Sequence, residues 1–361
     1  MNTKNCEKFS LKMLILSPSN TFQDNGITVR AKRIDDLLCE KLKVVLISSK
    51  NERFDNNIIL VKESFLWMFR LIPKLVSQNF DCVYCSSDYF GFLVCYPFSK
   101  IFSYKIIYEA HGILSEETKE RGSSKFIIKL CQLLENFVII HADYVIALSK
   151  DILKYYSKYN KNIELIPVFI DEDIFTKDDS KSTNLSDSNI IKKIGVIGPF
   201  NMPSNKYALD FVYEHLDEFN KNIQFIIIGN CNNHISSKKV MYTGYLTFTD
   251  YLKQLQCLDA VIVPSKIATS GPLNKILEPM ACSLPVFTSP KGITGIDYAK
   301  PGDNVFIFEN SELVYNINKL IFNADLMKKV GQNARDTIEK YYSKRNNRKL
   351  LIKVISKITS D

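Results

Sequence analysis

The sequence predicts an α/β protein of two doubly wound domains, each a parallel sheet with helices on both faces. Three observations carry that expectation. Short runs rich in Ile and Val alternate with helix-length segments along nearly the whole chain, which is the pattern of strands buried on both faces. The alternation stops once, in the polar stretch TKDDSKSTNLSDSNI at residues 176–190, and then restarts. The length of 361 residues suits two domains of about 150 residues each.

Taken in order, residues 11–17 form a first strand, closed by Pro18-Ser19-Asn20, and a polar loop with Gly26 leads to a helix over 28–42. Strands follow at 44–48 and 57–61, then a helix over 63–77 and a strand at 82–85. The strand at 105–108 runs directly into Glu109-Ala110-His111-Gly112. A helix over 124–140 and strands at 144–148 and 163–167 complete a domain at residues 1–175. Beyond the linker at 176–190 come a strand at 193–197, a helix over 206–219 and a strand at 225–228. A helix over 248–258, a strand at 260–263, a helix over 273–282 and a strand at 285–288 follow. Helices near 311–323 and 325–340 close the second domain, 191–340, and residues 341–361 read as a basic C-terminal helix. Two such domains facing across a cleft are the expected architecture.

Composition narrows the function classes. Hydrophobic residues make up 46% and charged residues 24%, which excludes a disordered or fibrous chain. Lys and Arg number 47 against 39 Asp and Glu, a net charge of +8 spread too diffusely for nucleic acid and suited to an anionic ligand or membrane surface. No run reaches the roughly 18 apolar residues of a membrane span, and the polar first ten residues lack the apolar core of a secretory signal. Nine cysteines, mostly inside apolar runs, fit free thiols in a reducing cytoplasm. Cys82 and Cys85 have C-x-x-C spacing, but no second pair and no histidine accompany them, so no metal is expected there.

Several chemistries lack their motifs. There is no G-x-G-x-x-G after the first strand of either half, no phosphate-binding P-loop, no G-x-S-x-G elbow, and no metal-ligand spacing among the four histidines. The informative segment is TSGPLNKILEPMAC at 269–282, between two strands of the second half. Ligands of open α/β sheets collect at the carboxyl ends of strands. Gly271-Pro272 opens a helix with proline in its first turn, and the free amides there favour an anion. Lys275 and Glu278 share one helix face. They fit either a lysine at a diphosphate beside a carboxylate accepting ribose hydroxyls, or an ordinary surface ion pair.

The stretch Lys275-Ile276-Leu277-Glu278-Pro279-Met280-Ala281-Cys282-Ser283-Leu284-Pro285-Val286 resembles the donor-binding signature K-x-L-E-A-M-A-x-G-x-P-V of glycosyltransferase family 4, retaining enzymes of the GT-B fold. Glu109-Ala110-His111-Gly112 resembles the E-x-H-G of that family's first domain. ADYVIALS at 142–149 and IPVFIDEDIF at 166–175 are similar to two further family segments, so the matches run in order from about residue 12 to residue 340.

The resemblance implies a sugar moved from a nucleotide-diphosphate sugar to a hydroxyl of a glycan, polysaccharide or lipid-linked acceptor, with retention and without a metal. By matching positions, Glu278 binds the ribose and Lys275 meets the phosphates. Gly271, with the amides of Leu273 and Asn274, cradles the diphosphate. His111 contacts the transferred sugar, and Gly26 brings backbone close to phosphate or acceptor. Three departures stand out. Ser270 replaces the first Glu of the family's E-x7-E, Pro199 follows Gly198 where many members carry a phosphate-binding Arg, and Pro279 replaces an Ala of the signature helix. Lys206 is the candidate substitute for that Arg. Ser270 and Pro199 keep a non-catalytic binding relative open as an alternative, and a sugar-nucleotide epimerase is the other. The stretch at 65–76, with the chain's only Trp, is a candidate contact with an anionic membrane or a helix packed under the first sheet. The expected location is the cytoplasm, with peripheral attachment to the membrane as an option.

Overall fold

The computed structural model describes residues 12–17, 30, 33–34, 37–38, 43–48, 67–77, 79–176, 191–268 and 271–360. They form two units, residues 1–168 with 348–361 and residues 169–347. The expected α/β architecture is present in both.

In the first unit β1 (Lys12–Ser17), β2 (Lys43–Ser48), β3 (Cys82–Ser86), β4 (Lys105–Ala110), β5 (Tyr144–Ala147) and β6 (Ile163–Leu165) form one sheet in the order β2-β1-β3-β4-β5-β6. Every pairing is parallel. Helices α1 (Trp67–Ser77), α2 (Tyr89–Phe102), α3 (Leu114–Glu120), α4 (Lys125–His141) and α5 (Lys150–Tyr156) connect the later strands. The described residues between β1 and β2, Arg30, Arg33, Ile34, Leu37 and Leu38, are helical, and Ile34, Leu37 and Leu38 are buried at helical spacing. Strand residues Cys82 to Cys85 are all fully buried, and burial pushes both thiols up, which suits core cysteines.

The second unit repeats the plan with β7 (Lys192–Ile197), β8 (Ile223–Ile228), β9 (Val240–Gly244), β10 (Ala260–Val263), β11 (Val286–Thr288) and β12 (Phe306–Ile307), in the order β12-β11-β10-β7-β8-β9 and again all parallel. Its helices are α6 (Pro203–Glu214), α7 (Phe248–Gln256), α8 (Asn274–Ala281), α9 (Asn310–Leu320) and α10 (Ala324–Thr337), followed by a π-helical turn at Ile338–Tyr342. Phe225, Phe219, Phe287 and Val212 lie in its core, each at most 2% exposed. Burying each such side chain contributes about 1.5–3 kcal/mol. The last helix, α11 (Lys344–Ser360), carries the chain back into the first unit, where Leu351, Val354, Ile355 and Ile358 are buried.

Several boundaries differ from the sequence reading. The unit division falls between Val168 and Phe169 rather than after residue 175. The reason is packing: Phe169, Ile170 and Phe175 are buried, and the Ile170 amide bonds the Tyr342 carbonyl at 2.7 Å within the second unit. Residues 348–361 belong to the first unit rather than standing apart. Helices α2, α3 and α5 were not expected. Gly91 and Pro97 interrupt the helical pattern of α2, and α3 and α5 have only seven residues each. The helix expected at 206–219 begins at Pro203 and ends at Glu214. The strand expected at 57–61 and the linker residues 177–190 lie outside the described residues.

Candidate active site

Sheet order decides where chemistry gathers. In the first sheet the strand order reverses between β1 and β3, and in the second between β10 and β7. Ligands of doubly wound sheets sit at the carboxyl ends of strands beside such a switch.

In the second unit the residues following β10 and β7 meet at this point. The Lys275 ammonium on α8 donates to Asn205 Oδ1 at 2.7 Å. Asn205, on α6, in turn donates through Nδ2 to the Pro199 carbonyl at 2.9 Å, so it ties the loop after β7 to the lysine. Burial pushes the Lys275 ammonium down to about 8. Three residues on, Glu278 accepts a hydrogen bond from the Tyr251 hydroxyl of α7 at 2.9 Å. Ile276, Leu277, Met280 and Ala281 form the buried side of α8, which leaves Lys275 and Glu278 together on its other side.

The helix starts one step later than the sequence suggests. Leu273 is its N-cap with extended backbone, its own side chain makes no capping hydrogen bond, and Pro272 precedes the helix instead of filling its first turn. The Asn274 and Lys275 amides are therefore first-turn donors without a helical acceptor. Pro279 does not end the helix, which continues to Ala281. Arg335 closes that end, donating to the Ala281 carbonyl at 2.7 Å and the Glu172 carbonyl at 2.8 Å. The loop after β10 is fixed as well: Ser265 N donates to Ser289 Oγ and Ser289 Oγ to Ser265 O, both at 3.0 Å.

Gly295 holds the cradle in place. Its φ is +80°, and a Cβ there would lie 2.5 Å from the Gly271 carbonyl carbon and 2.8 Å from Pro272 N. Neither neighbour is a flexible side-chain end, so Gly295→Ala must displace residues 271–272. We expect a loss of about 1–3 kcal/mol from the strained backbone and a severalfold weaker hold on any ligand of the α8 terminus. Melting and the affinity for a nucleoside diphosphate, measured on the same sample, check both effects.

Lys206 departs from its expected role. It is exposed and pairs with Asp210 at 2.5 Å, one helical turn along α6. The inward residue is its neighbour Asn205, which sequence reasoning passed over. Its signal was only its place beside Lys206 at the helix start. Gly26 and Ser270 lie outside the described residues.

In the first unit, Glu109 at the end of β4 is fully buried and faces the Arg30 guanidinium at 3.0 Å. The Tyr84 hydroxyl also donates to it, and Ser86 Oγ lies at 3.3 Å. His111 Nε2 is 2.5 Å from Glu109 Oε1 and 3.1 Å from Ser86 Oγ. Burial acts to raise the Glu109 carboxyl, but Arg30 and His111 hold it well below the usual carboxylate range. With Nε2 turned to Glu109, Nδ1 is the ring nitrogen left for a ligand.

A second buried carboxylate, Glu135 on α4, secures the loop after His111. It accepts from Ser115 N at 2.9 Å and Ser115 Oγ at 2.7 Å, and the Tyr156 hydroxyl donates to the Gly112 carbonyl at 3.3 Å. Burial raises its pKa. The other histidines do different work: His141 and His215 bond carbonyls on their own helices, and His234 stacks on Tyr242.

Residues 191–323 match the family model described as glycosyl transferases, group 1. No curated protein sequence matches the chain. Among solved structures the chain is similar to sucrose-phosphate synthase from Thermosynechococcus elongatus, at 13% identity and TM-score 0.80, over 97% of this chain and 99% of that one. It is similar to Anabaena HepE in complex with UDP and glucose, at 16% identity and TM-score 0.75, over 96% and 99% of the two chains. A third similar structure is the lipopolysaccharide outer core galactosyltransferase WaaB, at 15% identity and TM-score 0.63, over 94% and 99%. Residues 191–323 thus match a group 1 glycosyl transferase domain, and the chain has the GT-B fold.

Proposed function

We propose that the chain transfers a sugar, with retention, from a nucleoside-diphosphate sugar to a hydroxyl of a glycan or lipid-linked acceptor. The observation that carries this reading is the Lys275 ammonium beside the N-terminus of α8, at the switch point of the second sheet. An ammonium and first-turn amides together stabilise the charge of a departing diphosphate, and they do so without a metal. Glu278 accepts the ribose hydroxyls. The bond from the anomeric carbon to the diphosphate breaks, the acceptor oxygen bonds that carbon on the same face, and the acceptor proton passes to the departing phosphate. His111 acts on the transferred sugar through Nδ1. Several solved structures similar in fold hold UDP or UDP-glucose, so a uridine donor is tested first. The setting is the cytoplasm. No described helix is long and apolar enough to cross a membrane.

Product analysis tests this reading: incubation with UDP-, GDP- and ADP-sugars and a hydroxyl acceptor yields free nucleoside diphosphate and an α-linked product from an α-linked donor. An inverted product contradicts retention, and no product with any donor contradicts transfer.

Lys275 gives the donor affinity a definite pH dependence. A bound diphosphate raises the ammonium above its free value of about 8. Binding near pH 8 therefore takes up a proton, and affinity is full below about pH 8. Above it, affinity falls by up to about tenfold per unit until the bound-state value is reached. Calorimetry in two buffers of different ionisation heat reads the proton uptake, and Lys275→Ala abolishes it.

A further inference from the structure

We propose that the outward faces of α2 and α4 form a docking surface for an anionic lipid bilayer. Helix α4 already uses one side, with Glu135, Val138 and Ile139, for the core. It carries a second apolar stripe that the core does not use: Phe126 is 78% exposed, Leu130 57%, Leu133 59% and Ile140 52%. Their spacing of four, three and seven residues places them along one side of the helix. Helix α2 lies alongside, with the Tyr96 ring edge-on to Phe137 of α4 at 5.5 Å. It adds Phe90 at 67% and Ile101 at 69% exposure. Monomeric soluble proteins rarely leave so many large apolar side chains exposed on two adjoining helices.

Charge selects the occupant. The two helices expose Lys100, Lys125 and Lys129, and their one carboxylate, Glu135, is fully buried. An apolar face whose only exposed charges are cations matches anionic headgroups above acyl chains. A second copy of the chain would set lysine against lysine with no carboxylate to pair them. The surface lies on a membrane rather than through one, since no described helix can span it. It also differs from the stretch at 65–76 that the sequence suggested: Leu71 and Leu75 of α1 are buried.

Cosedimentation of the full chain with vesicles tests this proposal. One set is phosphatidylcholine alone and the other equal parts phosphatidylcholine and phosphatidylglycerol. The chain is expected to pellet with the anionic vesicles only, and less so at high salt. Lys125→Ala/Lys129→Ala lowers the partition by about thirtyfold, at about fivefold per lysine. Leu130→Asp/Leu133→Asp abolishes it at an unchanged melting temperature, because both positions are exposed. Four results overturn the proposal: no binding to either vesicle, equal binding to both, binding indifferent to the variants, or a dimer in light scattering that Leu130→Asp/Leu133→Asp dissolves. None depends on which sugar or nucleotide the enzyme uses.

Discussion

Lys275→Ala is expected to lower kcat by about two to three orders of magnitude, the usual cost of removing a group that stabilises developing charge. The uncomplexed protein should melt no lower than wild type. Burial makes the charged form of Lys275 unfavourable, and among the described residues its ammonium bonds Asn205. The variant thus separates function from folding. Asn205→Ala is the companion substitution: it leaves the ammonium in place but frees its position, so its loss is smaller. A folded Lys275→Ala enzyme with wild-type kcat would remove the basis of the mechanism.

The second large effect falls on stability. Glu109→Leu leaves the Arg30 guanidinium, whose side chain is 1% exposed, buried without its carboxylate. Breaking such a pair from one side costs about 3–5 kcal/mol. At about 2–4 °C per kcal/mol for a unit of this size, the first unit should melt roughly 10 °C lower. The double variant Arg30→Met/Glu109→Leu should recover most of the loss, since both charges leave together. The pH dependence has a fixed sign. The folded carboxyl is held below the unfolded one, so the Glu109 contribution is full above the ordinary carboxylate range and is lost as pH falls through the folded value. Wild type and Glu109→Leu should therefore converge in strong acid, as thermal melts across that range would read.

How much of this was legible in the sequence depends on distance along the chain. Strand β10 was legible to the residue, and α8 to one residue at each end, because a buried strand or amphipathic helix writes its own period locally. Lys275 and Glu278 were found as a pair for the same reason. Asn205 was not, because its partner lies 70 positions away and only the switch between β7 and β10 joins them. Arg30 and Glu135 escaped similarly, one being 79 residues from Glu109 and the other 20 from Ser115. Helix α2 was hidden by its own composition. It is rich in aromatics on all sides because one face meets the core and another is exposed, which erases the amphipathic period. The exposed stripe of α4 was equally invisible, since apolar spacing does not say which of two stripes faces inward.

The most direct test of the central claim, that the start of α8 holds the diphosphate of a sugar donor, is calorimetric titration of UDP into wild type, Lys275→Ala and Glu278→Ala. The account predicts saturable binding by wild type and at least about tenfold weaker binding by each variant, the loss of one charge-assisted hydrogen bond of about 1.5–3 kcal/mol. If GDP or ADP binds in place of UDP with the same dependence on both residues, the site stands and only the base changes. A folded wild type that binds none of the three, or variants that bind as tightly as wild type, would contradict the account.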